Sequence, residues 1–251
     1  MRDTSGNADA IVLDIEGTTT PIAFVYEVLF PYARARLREY LQNPKNHATL
    51  VEPLRRLSEE LADDCSRDLP SQGADDKPSR PRDFVSDPPS AAEYVEWLMD
   101  RDRKSPGLKL LQGLIWECGY RTGDLRGEVF DDVPRAWSRW RDAGIGVAIY
   151  SSGSELAQRL LFGHTAYGDL TPLFVRFFDT GVGPKVSPDS YRRIAHHLRC
   201  PTDRLLFVSD VTSELGAARA AECRTRLCVR PGNRPQPAHG FSAIESFDEI
   251  G

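Results

Sequence analysis

Two acidic residues near the amino terminus have a spacing and a position that could support catalysis. Asp14 and Glu16 follow the apolar residues 11–13 in the stretch IVLDIEGTTTPIAF. A short apolar run that contains β-branched residues predicts a strand buried on both faces, as in parallel sheets. Asp14 would then lie at the carboxyl end of this strand, which is the edge where open α/β sheets bind their ligands.

Other polar groups are predicted to reach the same edge. Ser151 and Ser152 follow the apolar stretch VAIY, Asp210 follows LLFVS, and Lys185 stands in the loop TGVGPKVSP before a predicted helix. Carboxylates, hydroxyls at a helix start and a lysine could together hold one divalent metal ion and one phosphate. Magnesium suits this set because it prefers oxygen ligands and is typically held by one or two carboxylates plus substrate phosphate.

The elements that must position these groups change character along the chain. Residues 25–125 carry no strand signal and show apolar residues at helical spacing, interrupted by a polar, Asp- and Pro-rich loop at 63–90. In the remainder of the chain, predicted strands and helices alternate, as in a parallel sheet with right-handed crossovers. We therefore predict an α/β core of residues 1–21 and 126–251 that is interrupted by a helical insert, residues 22–125.

Prolines, glycines and one serine mark the ends of predicted helices. Pro31 is predicted to kink or restart the first long helix, because a proline inside a helix removes a hydrogen bond. Gly144 and Gly163 are predicted to end helices. Ser187 is predicted to cap the helix that begins with Pro188 and follows Lys185.

Composition argues against several classes of partner and site. A formal net charge of -5 and a pI near 5.6 disfavour nucleic acid or an anionic membrane as the main partner. No apolar run approaches the roughly 20 residues of a membrane span, and the amino terminus has no signal-peptide core, so we expect a cytoplasmic protein. The five cysteines are odd in number and form no CxxC pair, so we expect reduced packing residues and neither a disulfide framework nor a zinc site.

Each of these chemical signals has a simpler explanation when it is taken alone. An isolated D-x-E pair usually ends a strand, serines before a helix usually cap it, and a single lysine is usually solvated. The GVG at 181–183 is too short for a dinucleotide-binding loop and indicates a turn. The order of the polar groups along the chain nevertheless brings them to one sheet edge, which favours one site over independent coincidences.

Nine segments of the chain together resemble the enolase-phosphatases of the methionine salvage pathway, which are haloacid-dehalogenase-like phosphatases. They are DIEGTTTPIAFV, LQGLIW, GEVFDDVP, YSSGS, LLFGHT, GDL, FDTGVGPKVSPDSYRRIA, LLFVSDVTSE and VRPGN. The resemblance implies a Rossmann-like core of haloacid dehalogenase type with a helical cap inserted after the first strand. It also implies a monomer with one Mg²⁺ per chain that enolises and then dephosphorylates 2,3-diketo-5-methylthiopentyl-1-phosphate to the acireductone.

The same resemblance assigns roles to particular residues. Asp14 would attack phosphorus to form an aspartyl-phosphate and would also bind the metal. Glu16, through its backbone carbonyl, and Asp210, through its carboxylate, would complete the metal ligands. Lys185 would neutralise the transferring phosphoryl group, and the phosphate or the substrate would be held by Ser151 and Ser152.

Two residues depart from the pattern of the wider superfamily. Most of its phosphatases carry an aspartate as general acid two residues after the nucleophile, where this chain has Glu16, and the motif around Asp210 ends in Glu214 rather than aspartate. Glu16 either protonates the leaving oxygen or has no such role because an enol oxygen leaves unaided. Glu214 either contacts water on the metal or only caps a helix.

Three other functions are compatible with parts of the pattern. A magnesium-dependent phosphatase of other small phosphorylated metabolites would share every core residue, so only the helical insert separates it from an enolase-phosphatase. A dehalogenase would need no magnesium. A non-catalytic binding module of the same fold would normally have lost the nucleophile, and Asp14 is present.

Overall fold

The computed structural model describes residues 8–66, 82–103, 105–237 and 240–251. The chain divides into two compact units: Met1–Val28 with Arg126–Gly251, and Leu29–Leu125. The sequence places the start of the helical insert at residue 22, whereas the second unit of the structure begins at Leu29.

The first unit is built on one parallel sheet, which confirms the predicted α/β fold class. Its described strands follow the order β3-β2-β1-β4-β5-β6 across the sheet, and each pairs in parallel with its neighbour. The central strand β1 is buried along its whole length, as the apolar run predicts. The strands are β1 (Ala10–Leu13), β2 (Gly146–Tyr150), β3 (Arg176–Phe178), β4 (Leu205–Ser209), β5 (Arg224–Cys228) and β6 (Ala243–Ile244).

The second unit is helical, and no strand lies among its described residues 29–66, 82–103 and 105–125. Buried leucines recur along its second helix at helical spacing and form the face that packs on the fourth helix. That second helix continues to Ser66, so the loop predicted at 63–90 begins later, and its residues 67–81 lie outside the described ones. The helices are α1 (Phe30–Gln42), α2 (His47–Ser66), α3 (Ala92–Asp100) and α4 (Pro106–Thr122).

Pro31 restarts the first long helix, which is one of the two outcomes that the sequence predicts. A π-helical segment, Phe24–Leu29, comes before α1, and Pro31 lies in the first turn of α1. Proline is tolerated at that position because the first amides of a helix have no intrahelical partner.

Four helices of the first unit cover its sheet: α5 (Asp132–Asp142), α6 (Glu155–Gly163), α7 (Pro188–Leu198) and α8 (Thr212–Ala220). α6 ends at Gly163 as predicted, and Gly144 follows the end of α5 with a φ of 75°, a conformation that glycine adopts readily. None of the helices α1 to α8, which are those of the described residues, combines the length and the apolar character of a membrane span.

The predicted cap of α7 is wrong in one respect. Ser187 occupies the residue before the helix, but its hydroxyl accepts no hydrogen bond from the amides of α7. The amide of Ser190 donates instead to the backbone carbonyl of Ser187, at 3.1 Å. A backbone acceptor therefore replaces the side-chain cap.

The five cysteines, all of which lie within the described residues, form no disulfide bond with one another, as the sequence predicts. Cys200, Cys223 and Cys228 are buried, whereas Cys65 is half-buried and Cys118 is exposed. Burial raises the pKa of Cys223 and of Cys228 to about 12, so both thiols are neutral packing groups.

Candidate active site

The predicted site residues lie at the topological switch point of the sheet, where the strand order changes direction. β2 and β3 lie on one side of β1, and β4 to β6 lie on the other, so β1 and β4 flank the topological switch point. Asp14 follows β1 and Asp210 follows β4. Ligands of open α/β sheets bind outside the carboxyl ends of strands at such a point.

A cavity of about 210 Å³ brings together the residues that the sequence singles out. Two larger clefts of the first unit, of about 470 and 490 Å³, contain none of them. The chemistry of the small cavity, not its size, therefore makes it the candidate active site. The predicted residues in its wall are Asp14, Glu16, Ser151, Ser152, Lys185 and Asp210, and its other lining residues are Ile22, Tyr26, Val211, Glu214, Arg234 and Gln236.

The carboxylate of Asp14 is buried and held by three donors. Its Oδ1 accepts a hydrogen bond from the amide of Ile15 at 2.8 Å and lies 2.6 Å from the ammonium of Lys185. Its Oδ2 lies 3.2 Å from the hydroxyl of Ser209. These contacts fix the orientation of the carboxylate at the end of β1, which is what a preorganised nucleophile requires.

Lys185 joins the buried carboxylate of Asp14 to the half-buried carboxylate of Glu214. Its Nζ lies 2.6 Å from Asp14 Oδ1 and 2.7 Å from Glu214 Oε2. Burial lowers the pKa of Lys185, but the two carboxylates raise it more strongly, and its pKa lies above the ordinary value. The side chain is therefore a fixed positive charge beside Asp14.

Glu214 belongs to this ionic cluster and does not cap α8. Its carboxylate contacts Lys185 and accepts a hydrogen bond from the hydroxyl of Ser209 at 3.0 Å. Ser209 also lies beside Asp14, and its single proton can serve only one of the two carboxylates at a time. Ser209 thus connects Asp14 to Glu214, a link that no sequence pattern indicates.

Asp210 lies in the same cluster without an ion pair to any described residue. Burial raises its pKa to about 7, and the charges of Asp14 and Glu214 act in the same direction. The cavity wall carries four carboxylate side chains and two cationic ones, those of Lys185 and Arg234. The excess negative charge and the all-oxygen donors fit a hard divalent cation.

The carboxylates do not enclose a metal ion by themselves. Within the part of the chain that the structure describes, no three His, Cys, Asp or Glu side chains are arranged to hold one. An ion at Asp14 and Asp210 would need backbone oxygen, water and substrate phosphate as further ligands. Magnesium commonly binds in this way, with one or two carboxylates and several waters.

The loop after Asp14 packs tightly against its neighbours. Gly17 has a φ of 68°, and a Cβ at this position would lie 2.5 Å from Asp210 Oδ2 and 2.8 Å from Asn233 Oδ1. Asn233 Nδ2 donates to the carbonyl of Gly17 at 2.9 Å, and Arg230 Nε donates to that of Thr18 at 3.2 Å. The loop after β5 therefore holds the loop that carries Glu16.

The serine loop between β2 and α6 is also held by side chains. The hydroxyl of Ser151 accepts a hydrogen bond from the amide of Gly153 at 3.1 Å and keeps its own proton to donate. Gln158, which is almost fully buried, donates to the carbonyl of Gly153 at 2.8 Å. The hydroxyl of Ser154 caps α6. Ser151 and Ser152 thus stand at a helix amino terminus, a common phosphate-binding position.

Three further side chains in the cavity wall have no sequence signal. The guanidinium carbon of Arg234 lies 5.9 Å from the centre of the Tyr26 ring. Gln236 Oε1 accepts a hydrogen bond from the amide of Thr212 at 3.1 Å. Arg234 and Gln236 come from an irregular segment, where neither hydrophobic periodicity nor turn chemistry indicates which side chains reach the site, and Tyr26 lies in the π-helical segment Phe24–Leu29.

Comparison with known proteins identifies the family. The chain matches the model of the haloacid dehalogenase-like hydrolases over residues 8–222. It is 44% identical over 240 residues to enolase-phosphatase E1 of Synechococcus elongatus, an alignment that covers 96% of both chains. The chain belongs to the enolase-phosphatases. The resemblance predicted from the sequence motifs is confirmed.

Two further matches agree with this assignment. Enolase-phosphatase E1 of Methylococcus capsulatus is 45% identical over 241 residues, with 96% of each chain covered. The crystal structure of the Unknown transcript 4 protein of Saccharomyces cerevisiae matches with a TM-score of 0.72 and 29% identity, over 96% of this enolase-phosphatase and 99% of the yeast chain. This enolase-phosphatase is therefore an enzyme of the phosphatase class, and hydrolases of its family generally use Mg²⁺.

Proposed function

We propose that this enolase-phosphatase converts 2,3-diketo-5-methylthiopentyl-1-phosphate into the acireductone and phosphate during methionine salvage. The observation that carries this proposal is the contact of Asp14 with Lys185, 2.6 Å long, in a cavity that Ser151, Ser152 and Asp210 also line. A nucleophile, a fixed positive charge and phosphate-binding hydroxyls are the groups that a phosphoryl transfer needs.

In the proposed phosphoryl transfer, an oxygen of Asp14 attacks the phosphorus of the substrate. Once the substrate has enolised, a bond from this oxygen to phosphorus forms while the bond from phosphorus to the enol oxygen breaks. The departing oxygen takes a proton from Glu16 or from water, which gives an aspartyl-phosphate and the acireductone. Water then attacks the phosphorus, releases phosphate and restores the Asp14 carboxylate. The carboxylate of Asp14 is itself the attacking group, so the attack needs no base.

The proposed phosphate site combines charge and hydrogen bonds. Lys185 keeps its proton throughout, because Asp14 and Glu214 stabilise its charge, and it offsets the charge of the transferring phosphoryl group. Ser151 and Ser152 donate hydrogen bonds to phosphate oxygens. Because their loop opens α6, the positive end of that helix dipole also favours a bound anion.

We propose that one Mg²⁺ per chain is held by the carboxylates of Asp14 and Asp210 and by the backbone carbonyl of Glu16. The excess of carboxylates over ammonium groups in the cavity supports this assignment. The ion, when bound, offsets the negative charges that meet as the carboxylate approaches the phosphate.

We also propose that the enzyme acts as a cytoplasmic monomer on a small-molecule substrate. All the residues to which we assign chemistry come from one unit of one chain, which supports function as a monomer. The role of residues 22–125 as a cap that selects the substrate stays a prediction.

The proposed function can be tested with the purified protein, the diketo phosphate and Mg²⁺. We expect the absorbance of the enol to appear and phosphate to be released, and both signals should be lost when the metal is removed with a chelator. Phosphate release without enolisation would indicate a phosphatase of other metabolites. Activity that persists in the chelator would contradict the proposed use of magnesium.

Replacement of Asp210 by asparagine should weaken magnesium binding. A hard divalent cation loses one of its few anionic ligands, so we expect the Mg²⁺ dissociation constant to rise more than about tenfold. Isothermal titration calorimetry measures the binding directly, and phosphate release at increasing Mg²⁺ measures its effect. The exposed Asp189→Asn is a matched control, since Asp189 pairs with Arg192 on the surface of α7 and with no other cation among the described residues. An unchanged dissociation constant for Asp210→Asn would remove Asp210 from the metal site.

A further inference from the structure

The loop that carries Lys185 is held by side chains at four consecutive carbonyl groups. Each of the four carbonyl oxygens accepts a hydrogen bond from a different side chain, at distances between 2.6 and 2.8 Å. Three donors come from α7 and one comes from β2. The pairs are Arg193 with Val182, Tyr150 with Gly183, Ser190 with Pro184, and Tyr191 with Lys185.

Tyr191 is the donor that acts on Lys185 itself. Its hydroxyl donates to the carbonyl of Lys185 at 2.6 Å. Its ring is fully buried between Tyr150, at 5.7 Å between ring centres, and Phe207, at 4.9 Å. Burial raises the pKa of Tyr191, so its hydroxyl keeps its proton. The packing fixes the ring, and the ring fixes the direction in which the hydroxyl donates.

Lys185 is therefore held at both ends. Its ammonium lies between Asp14 and Glu214, and its backbone carbonyl lies on the hydroxyl of Tyr191. A lysine side chain has four rotatable methylene bonds, and the position of its charge depends on where its backbone starts. A displacement of this backbone would move the ammonium away from the nucleophile.

The close approach of the loop to α7 depends on a glycine. Gly183 has a φ of 137°, and a Cβ at this position would clash with the hydroxyl oxygen of Ser190. Tyr150 reaches the carbonyl of this glycine from β2 at 2.8 Å, and its own hydroxyl is neutral because burial raises its pKa. The loop is thus fixed from α7 and from the sheet.

We infer that Tyr191, assisted by Tyr150, is a positioning residue that sets Lys185 against Asp14. The inference rests on the proposed function, in which Lys185 offsets the charge of the transferring phosphoryl group. It goes beyond that function because Tyr191 touches neither the cavity nor the reacting atoms and acts only through the backbone of Lys185.

A double-mutant cycle separates this role from a general effect on the fold. We would compare Tyr191→Phe, Lys185→Met and the double variant by kcat, KM and thermal unfolding, with the diketo phosphate and saturating Mg²⁺. Tyr167→Phe is the matched control, since Tyr167 is exposed and its hydroxyl donates to Asp131 at 2.6 Å, outside the cavity.

We expect Lys185→Met to lower kcat by about 10²-fold, as the loss of a preorganised charge does. Tyr191→Phe should lower kcat by about tenfold, because small misplacements of catalytic groups are costly. In the Lys185→Met background the same Tyr191→Phe change should alter kcat less than about twofold, because the group it positions is gone. Its effect on the unfolding temperature should be equal in both backgrounds, and Tyr167→Phe should leave kcat unchanged.

Several results would overturn the inference. If Tyr191→Phe has its full effect on kcat in both backgrounds, that effect is a general structural one. If Tyr191→Phe leaves kcat unchanged in the wild-type background, Tyr191 has no role in catalysis. If Tyr191→Phe does not fold, as judged by circular dichroism, Tyr150→Phe replaces it in the double-mutant cycle, because Tyr150 holds the same loop through the carbonyl of Gly183. The same outcomes then support or overturn the inference. If Lys185→Met itself retains kcat within about threefold, the proposed role of Lys185 fails first.

Discussion

Replacement of Asp14 by asparagine is expected to abolish phosphate release, with a loss of roughly 10⁴-fold or more, while the fold is retained. The amide has nearly the same shape as the carboxylate, and its oxygen can still accept the hydrogen bond from the amide of Ile15. It lacks the negative charge that, in the proposed mechanism, attacks phosphorus and attracts a cation. The variant should therefore lose both the proposed nucleophile and one proposed metal ligand, but not the packing at the end of β1.

The Asp14→Asn variant should be measured by phosphate release and by trapping of the phosphoenzyme. Rapid acid quenching followed by mass spectrometry should detect one added phosphoryl group on the wild-type enzyme and none on the variant. Circular dichroism and thermal unfolding check that the variant folds, and Asp189→Asn is again a control at the surface. Substantial turnover by Asp14→Asn, or a phosphoryl group on another residue, would place the nucleophile elsewhere.

The sequence predicts those parts of the site that follow from local sequence patterns and from the geometry of parallel sheets. The apolar run before Asp14 marks a buried strand, and its burial along the whole of β1 agrees with this. Asp210 and Ser151 also follow strands directly, so any parallel sheet that places those strands beside β1 brings the three residues to one edge.

The sequence does not predict contacts between distant segments that lack a periodic pattern. Arg230 donates to a carboxylate oxygen of Asp132 at 2.8 Å, and both side chains are buried. Asp132 also accepts a hydrogen bond from the amide of Phe247 at 2.6 Å. These contacts tie the loop after β5 to α5 and to the carboxyl-terminal segment, although no spacing in the chain relates the three.

Short strands and competing hydrogen-bond acceptors explain the other differences between the sequence-based predictions and the structure. β3 and β6 contain only three and two residues, too few to show the alternation or apolar run of a strand. Ser187 has the residue type and position of a cap, but the backbone carbonyl next to its side chain takes the amide that the hydroxyl would bind. A residue type shows what a side chain can do, whereas the surrounding backbone decides whether it does so.

Glu16 has two distinct candidate roles, as a metal ligand through its backbone carbonyl and as a proton donor through its carboxyl group. It is half-buried, lines the cavity beside Asp14, and its backbone pairs with that of Thr20 in an isolated bridge. This pairing fixes the backbone of Glu16 independently of its side chain. The carbonyl that we propose as a metal ligand and the carboxyl that is the candidate proton donor can therefore be tested separately.

Replacement of Glu16 by glutamine should keep magnesium binding and lose roughly 10² to 10⁴ in the rate of phosphate release, the usual contribution of acid–base catalysis. A carboxyl group can transfer a proton to the leaving oxygen, whereas an amide of the same shape can only donate a hydrogen bond. Calorimetric titration with Mg²⁺ and the rate of phosphate release should be measured on the same preparation, with the exposed Glu39→Gln as control. If magnesium affinity falls together with the rate, the side chain of Glu16 is a metal ligand; if neither changes, the enol oxygen leaves without its help.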